Sequence, residues 1–201
     1  MGAVADAVLI VVSYLVGTIP TALWVARAAG HDPTLEGSRN PGASNVYRIA
    51  GFRAGLVVFV GDVAKGMAAT GAGYAVGGRE LAAACGLAAV VGHVFPVFRR
   101  FRGGRGVATA AGMMIVMFPF VTAAALAVWL VLVRVTGKAS IGSLAVALGF
   151  PPAVALVGRP GWEVAAVGAA TCLILFRHTD NLIRLLRGQE RSMQVGDAES
   201  R

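Results

Sequence analysis

Residues 106–135 read GVATAAGMMIVMFPFVTAAALAVWLVLVRV, from Gly106 to Val135, with no charge before Arg134. As one helix this stretch would be about 45 Å long. That exceeds the roughly 30 Å hydrocarbon core of a bilayer but falls short of two full crossings. Pro119 sits near its middle, where the ring removes a helical hydrogen bond and crowds the preceding turn. Whether the stretch counts as one span or two sets the parity of every span after it, so its reading decides the fold.

The rest of the chain suits a membrane. Of 201 residues, 57% are hydrophobic and 14% charged, and the mean hydropathy is +0.73. A soluble domain carries roughly 25% charged residues, so this composition excludes an ordinary soluble domain, a disordered chain and a secreted disulfide scaffold. Further apolar runs cover about 4–28, 54–77, 81–98, 139–157 and 162–176. No Lys or Arg precedes Arg27, so the first run lacks the basic start of a signal peptide and reads as a span. The net charge of +8 comes from 18 Lys+Arg against 10 Asp+Glu. Cationic residues collect on the cytoplasmic side of a membrane protein. With 106–135 counted twice and the N-terminus exported, sixteen of the 18 cations fall on the inner side or inner half, and only Arg79 and Arg159 fall outside. Counted once, the split drops to 10 against 8. The pattern predicts an all-α integral membrane protein of seven transmembrane helices, N-terminus outside and C-terminus cytoplasmic, with one helix short or broken near Pro119. Residues 1–191 form one membrane-embedded domain and 192–201 a flexible cytoplasmic tail. Cys85 and Cys172 lie in apolar runs without a CxxC spacing and read as small buried hydrophobes. The basic surplus lacks the recognition helices or aromatic-rich basic strands of a nucleic-acid binder.

That topology brings three polar clusters to one face. Gly37-Ser38-Arg39-Asn40-Pro41-Gly42-Ala43-Ser44-Asn45-Val46-Tyr47-Arg48 suits a loop turning into a helix, whose first amides can hold an anion; a plain turn with an N-cap at Ser44 or Asn45 is the simpler reading. His93 to Phe98 is followed by Arg99 to Arg105 and then Gly106-Val107-Ala108-Thr109. In it, Gly103, Gly104 and Gly106 permit close backbone approach while Arg102 and Arg105 supply guanidinium groups, a pairing suited to phosphate. A positive-inside loop would explain the arginines but not the glycines. Arg177-His178-Thr179-Asp180-Asn181, with Arg184 at helical spacing, suits an anion site or an amphipathic helix against anionic lipid. Asp62 and Lys65, three apart in the second span, are either an internal ion pair or a functional site. His93 beside Pro96 reads as a hydrogen-bonded helix end. No paired carboxylates share the inner face, so a two-metal site lacks ligands, and no G-x-S-x-G elbow or H-x-x-x-x-D pattern is present. The residues alone leave room for an enzyme acting on anionic substrates, a small anion transporter or a lipid-binding subunit.

Four blocks narrow the choice: Ser38-x-Asn40-Pro41-Gly42-Ala43-Ser44-Asn45-Val46-x-Arg48, Gly61-Asp62-x-x-Lys65-Gly66, Gly92-His93-x-Phe95-Pro96-Val97-Phe98 running into Gly103-Gly104-Arg105-Gly106-Val107-Ala108-Thr109, and Arg177-His178-x-x-Asn181-x-x-Arg184-Leu185. In kind and order they resemble the bacterial acyl-phosphate:glycerol-3-phosphate acyltransferase family (PlsY), over residues from about 10 to 191. Arg105 stands where the family usually has Lys, Ser44 for a common Thr and Asp180 for a usual Glu. The resemblance implies a seven-helix enzyme of the bacterial cytoplasmic (inner) membrane that moves an acyl chain from acyl phosphate to the 1-hydroxyl of sn-glycerol 3-phosphate in phospholipid biosynthesis. It implies Ser38, Arg48, Lys65, His178 and Asn181 as catalytic residues. It implies Asn40, Gly42, Asn45, Gly103, Gly104, Arg105, Gly106 and Arg177 around the substrate phosphates, with Asp62, His93 and Thr109 in support. No cofactor or metal is implied, and the expected partners are the two substrates and the bilayer, with the chain a monomer or weak oligomer.

Overall fold

A computed structural model describes residues 2–193, and these residues form helices and loops without strands. Of the expected tail at 192–201, residues 194–201 lie outside the described residues. The helices are α1 (Ala3–Gly17), α2 (Thr21–Ala28), α3 (Ala43–Val94), a short 3-10 turn (Val97–Arg99), α4 (Val107–Met117), α5 (Pro119–Thr136), α6 (Ala139–Leu156), α7 (Gly161–Arg177) and α8 (Thr179–Leu186). Four stretches are long and apolar enough to cross a membrane: Ala3–Ala28, Ala43–Arg99, Pro119–Thr136 and Ala139–Leu156.

The 52 residues of α3 are not one rod, because its backbone leaves helical geometry at Gly51 and at Gly77–Gly78. Gly78 has φ +70°, a left-handed conformation that costs glycine little and any other residue much more. The chain reverses there: Gly73 lies against Ala82, and Thr70 Oγ1 against Gly86. It also reverses at Gly51, since Gly55 packs on the backbone of Tyr47. Functionally α3 is therefore a short helix over 43–50 and a helical hairpin over 52–76 and 79–94. The expected run at 81–98 ends early, at Val94, because Pro96 cannot continue the helix. The expected single run at 4–28 is also broken, with Thr18-Ile19-Pro20 unwound between α1 and α2.

The break expected near Pro119 falls at Phe118, with Pro119 opening α5. Its 11-residue partner α4 is about 16 Å long, too short for the hydrocarbon core. α4 is instead enclosed: a Cβ on Gly66 would fall 2.0 Å from the Thr109 carbonyl, and one on Gly112 2.1 Å from the Val63 carbonyl. Such backbone-to-backbone approach through small residues is how helices associate in lipid, where no hydrophobic drive separates them from the solvent. Met113, Met114, Met117 and Phe118 then pack with Ala82, Phe150, Val154 and Val167, joining 79–94, α4, α6 and α7. The end of that core is closed by Glu163, which is 1% exposed and takes Arg79 Nε at 2.5 Å and Arg159 Nε at 2.7 Å. Arg79 also donates to the Met117 carbonyl at 3.0 Å and lies over the Phe118 ring. Cys85 is buried as expected, but Cys172 is exposed, because α7 packs through Val167, Ala170, Thr171 and Ile174 and Cys172 falls off that face.

Candidate functional site

The loop before α3 is organised by one side chain. Asn45, 1% exposed, accepts from the Ser38 N–H at 2.7 Å and donates to the carbonyls of Pro33 and Glu36 at 3.1 Å each. The N-cap expected at Ser44 or Asn45 is instead Gly42, and no side chain caps the helix, because the Asn45 amide is already committed to the loop. A Gly42 Cβ would sit 3.0 Å from Asn40 Nδ2, so Asn40 folds over the same turn. This framework holds Ser38, whose Oγ is buried and has no partner among the described residues. One helical turn past Asn45, Arg48 is buried and donates through Nε to the Ser192 carbonyl at 2.6 Å. Met193 N–H reaches the Gly137 carbonyl at 2.7 Å, so the first two residues of the expected tail are packed on the helices.

The glycine loop is fastened on both sides. Gly103 and Gly104 donate their N–H groups to the carbonyls of Val94 and His93, at 3.1 Å each, and their own carbonyls accept from Arg177, at 3.0 and 3.2 Å. Both amides and the Arg177 fork, expected to face phosphate, are thus engaged in holding the loop. What the loop presents is Arg105 and the start of α4, whose first-turn amides carry no side-chain cap. Gly106, at φ +83°, makes the turn into that helix. Burial pulls the Arg105 guanidinium down to about 10, and Arg184, Arg48 and Arg177 act in the same direction against Glu190. It stays cationic at neutral pH, amid several other positive charges. Thr109, in the first turn, is fully buried, and its hydroxyl has no partner among the described residues.

The third cluster closes the site. His178 lies between α7 and α8 and is 1% exposed; its Nδ1 is 2.8 Å from the Ile174 carbonyl. A carbonyl can only accept, so Nδ1 carries the proton and the neutral ring keeps Nε2 as an acceptor. Burial holds the ring at about 4, helped by Arg105. Asn181 donates to Glu190 at 2.6 Å while its Oδ1 is buried and has no partner among the described residues. Glu190 also accepts from Ser140 at 2.9 Å and Arg184 at 2.9 Å. Glu190 ends the polar run that begins at Arg177, but the sequence gives it no role, and it gives Ser140 none either; an acid just past an arginine-rich segment is the available signal.

Asp62 and Lys65 lie apart from these groups. Lys65 Nζ is 2.7 Å from Asp62 and donates to the Ile19 carbonyl at 2.8 Å. Asp62 also accepts from the Thr21 hydroxyl and stands 3.7 Å from His93 Nδ1. The reading of this pair as an internal ion pair is therefore realised. A cleft of about 250 Å³, counting space open to solvent, runs past Thr18, Ile19, Pro41, Lys65, His93, Arg99 and Gly104. His93 links the two regions, since its ring lies against Gly104.

A family profile described as glycerol-3-phosphate acyltransferase matches residues 7–188. The chain belongs to the glycerol-3-phosphate acyltransferase family. A family member from Thioalkalivibrio sulfidiphilus is 41% identical over 184 residues, covering 90% of this chain and 91% of its own. One from Actinobacillus succinogenes is 43% identical over 180 residues, covering 89% of each. The crystal structure of PlsY (YgiH), described as an integral membrane glycerol 3-phosphate acyltransferase and solved in its glycerol 3-phosphate form, superposes with a TM-score of 0.90 at 32% identity, covering 94% of this chain and 95% of that one. Its lysophosphatidic acid form gives 0.87 at 31%. With these relatives and its apolar helices, the chain is a multi-pass membrane member of the glycerol-3-phosphate acyltransferase family.

Proposed function

We propose that this chain transfers an acyl chain from acyl phosphate to the 1-hydroxyl of sn-glycerol 3-phosphate, giving 1-acylglycerol 3-phosphate (lysophosphatidate) and phosphate. The observation that carries this reading is the grouping of Arg48, His178 and, through Glu190, Asn181 around Arg105 just before the uncapped start of α4, together with buried oxygens on Ser38, Thr109 and Asn181 that have no partner among the described residues. Buried polar atoms are rarely left unpaired without a reason, and a phosphorylated ligand supplies one. The glycerol hydroxyl attacks the acyl carbonyl, the C–O bond to phosphate breaks, and a phosphate oxygen takes the hydroxyl proton. Phosphate is already a good leaving group, so no acyl-enzyme is needed and Ser38 serves as a hydrogen-bonding group. Arg48 and Arg105 stabilise the phosphate charges. His178 and Asn181 orient the acceptor, and Asn40, Gly42 and Asn45 shape the wall that holds Ser38. Lys65 serves from the cleft, where Asp62 and the Ile19 carbonyl fix its ammonium, with Gly103, Gly104, Arg177 and His93 positioning the loop.

The same reading places seven spans in the inner membrane, N-terminus exported and site cytoplasmic, in a monomer or weak oligomer. Reporter fusions at residue 120 and at the C-terminus test the topology, and an exported C-terminus refutes it. Purified protein given acyl phosphate and glycerol 3-phosphate releases inorganic phosphate only with both present, and Arg48→Ala abolishes the release. Equal turnover with acyl-CoA or acyl carrier protein removes acyl phosphate as the donor, and an acyl-Ser38 adduct trapped in the wild type removes direct attack.

A further inference from the structure

The segment that delivers Gly103 and Gly104 to His93 also has an outward surface. The Pro96 carbonyl accepts from the N–H groups of Arg99 and Phe101, at 3.0 Å each, and closes the short turn over Val97–Arg99. The backbone then passes through two consecutive left-handed residues that are not glycine, Arg100 at φ 50° and Phe101 at φ 60°. Such residues persist only where the surroundings hold them. Here the Tyr14 hydroxyl accepts from the Val97 N–H at 3.1 Å and donates to the Phe95 carbonyl at 2.8 Å, pinning one end of the loop. The bonds from Gly103 and Gly104 pin the other. The consequence is an exposed face on which Phe98 (77% exposed) and Phe101 (57%) alternate with Arg100 and Arg102. Arg99 instead lines the cleft. No acidic residue occurs between Glu80 and Glu163, and neither Arg100 nor Arg102 has an ion pair among the described residues.

We propose that this loop docks on anionic phospholipid headgroups, with Phe98 and Phe101 entering the interfacial layer and Arg100 and Arg102 holding lipid phosphates. Charge complementarity favours this occupant: two unpaired guanidinium groups flank two aromatic rings that gain only by leaving water. A soluble protein partner fits less well, because the exposed apolar side chains Val97, Phe98 and Phe101 are interleaved in sequence with the unpaired cations Arg100 and Arg102. Docking would hold the covalently attached glycine loop at headgroup level.

The test places a Phe101→Trp variant in nanodiscs of phosphatidylcholine and phosphatidylglycerol in equal parts, brominated on one lipid or the other, without substrates. Emission of Trp24, Trp129 and Trp162 is subtracted using the unsubstituted protein. Brominated phosphatidylglycerol should quench more than brominated phosphatidylcholine. Arg100→Gln and Arg102→Gln should each reduce that preference on the order of fivefold, and high salt should abolish it. Equal quenching by both lipids, a preference untouched by the two substitutions, or no quenching by either would overturn the proposal; the last is the outcome for a soluble partner. Phe98→Trp reports on the same surface where Phe101→Trp does not fold. Both leaflets carry the same lipids and no reaction is run, so failure here leaves the proposed activity and topology standing.

Discussion

Gly104→Ala tests whether the glycine loop works through its fit to His93. A Cβ at this position would lie 2.2 Å from His93 Nε2 and 3.0 Å from Cε1. The ring has little room to retreat, being 9% exposed and close to Asp62. Either it swings away, or the loop lifts and strains the bonds from Arg177. Overpacking of this kind costs about 1–3 kcal/mol. If all of that falls on the transition state, kcat/KM drops about 5- to 150-fold. The assay is phosphate release that requires both substrates, in nanodiscs, with the melting temperature of each variant recorded. Gly103→Ala provides the contrast, since its Cβ would meet the His93 carbonyl at 2.0 Å and the Val94 carbonyl at 2.5 Å, both backbone. A His93→Ala background therefore makes room for alanine at 104 but not at 103. In that background Gly104→Ala should cost less than about 0.5 kcal/mol, roughly twofold, while Gly103→Ala keeps its full penalty. An equal loss from Gly104→Ala with and without the His93 ring would refute the reasoning.

Three further outcomes follow from the ion pairs and the buried imidazole. His178 sits at about 4 when folded against about 6.5 when unfolded, so the unfolded chain binds the extra proton between those values. Its contribution is therefore complete above pH 6.5 and falls as pH drops toward 4: about 2 kcal/mol is lost by pH 5, and the melting temperature of His178→Gln should fall less between pH 7.5 and pH 5 than that of the wild type. Glu163→Gln leaves Arg79 and Arg159, each about a third exposed, without their shared carboxylate and should destabilise by about 1–3 kcal/mol; unchanged melting would show that the cluster adds nothing. Lys65→Met should lower the melting temperature sharply by stranding Asp62, and adding Asp62→Asn should restore part of it. A double variant no more stable than Lys65→Met would show that the pair is not a unit.

The fold was legible wherever a local breaker coincided with a change in polarity. Pro119 lies within an uncharged run, yet length and charge parity exposed the break, and the structure puts it one residue earlier. The unwinding at Thr18–Pro20 is masked because Pro20 lies in an oily run, flanked only by the threonines Thr18 and Thr21 and by no charge. What stabilises that break is remote: the Ile19 carbonyl released from α1 is taken by Lys65, 46 residues away. A window sliding along the chain cannot see that partner. The N-cap reading failed for the same reason, since the side chain of Asn45 serves carbonyls 9 and 12 residues earlier.

The site was legible as a set of polar residues in an apolar chain, but their division of labour was not. Lys65, Arg105 and Arg177 look alike in sequence: a cation beside glycine or within a span. In the structure Lys65 is bonded to Asp62 and to a backbone carbonyl, and Arg177 is spent on the carbonyls of Gly103 and Gly104. Arg105 has no hydrogen bond or ion pair among the described residues. The same sorting applies to the neutral groups, where Asn45 is fully bonded while Ser38, Thr109 and Asn181 each keep a buried oxygen without a partner among the described residues. A buried charge or hydroxyl without a partner costs stability, so a fold retains one where a ligand repays the cost. Under the proposed function, that criterion assigns Ser38, Arg105, Thr109 and Asn181 to the substrate, beside His178 with its free Nε2, and Arg48 would exchange the Ser192 carbonyl for phosphate. Lys65, Asp62, His93 and Arg177 form the frame that holds the glycine loop between the α1–α2 break and α7. The prediction that separates the two groups is kinetic: losses in the frame should be reversible by compensating substitutions such as His93→Ala with Gly104→Ala, and losses at Arg105 or Asn181 should not.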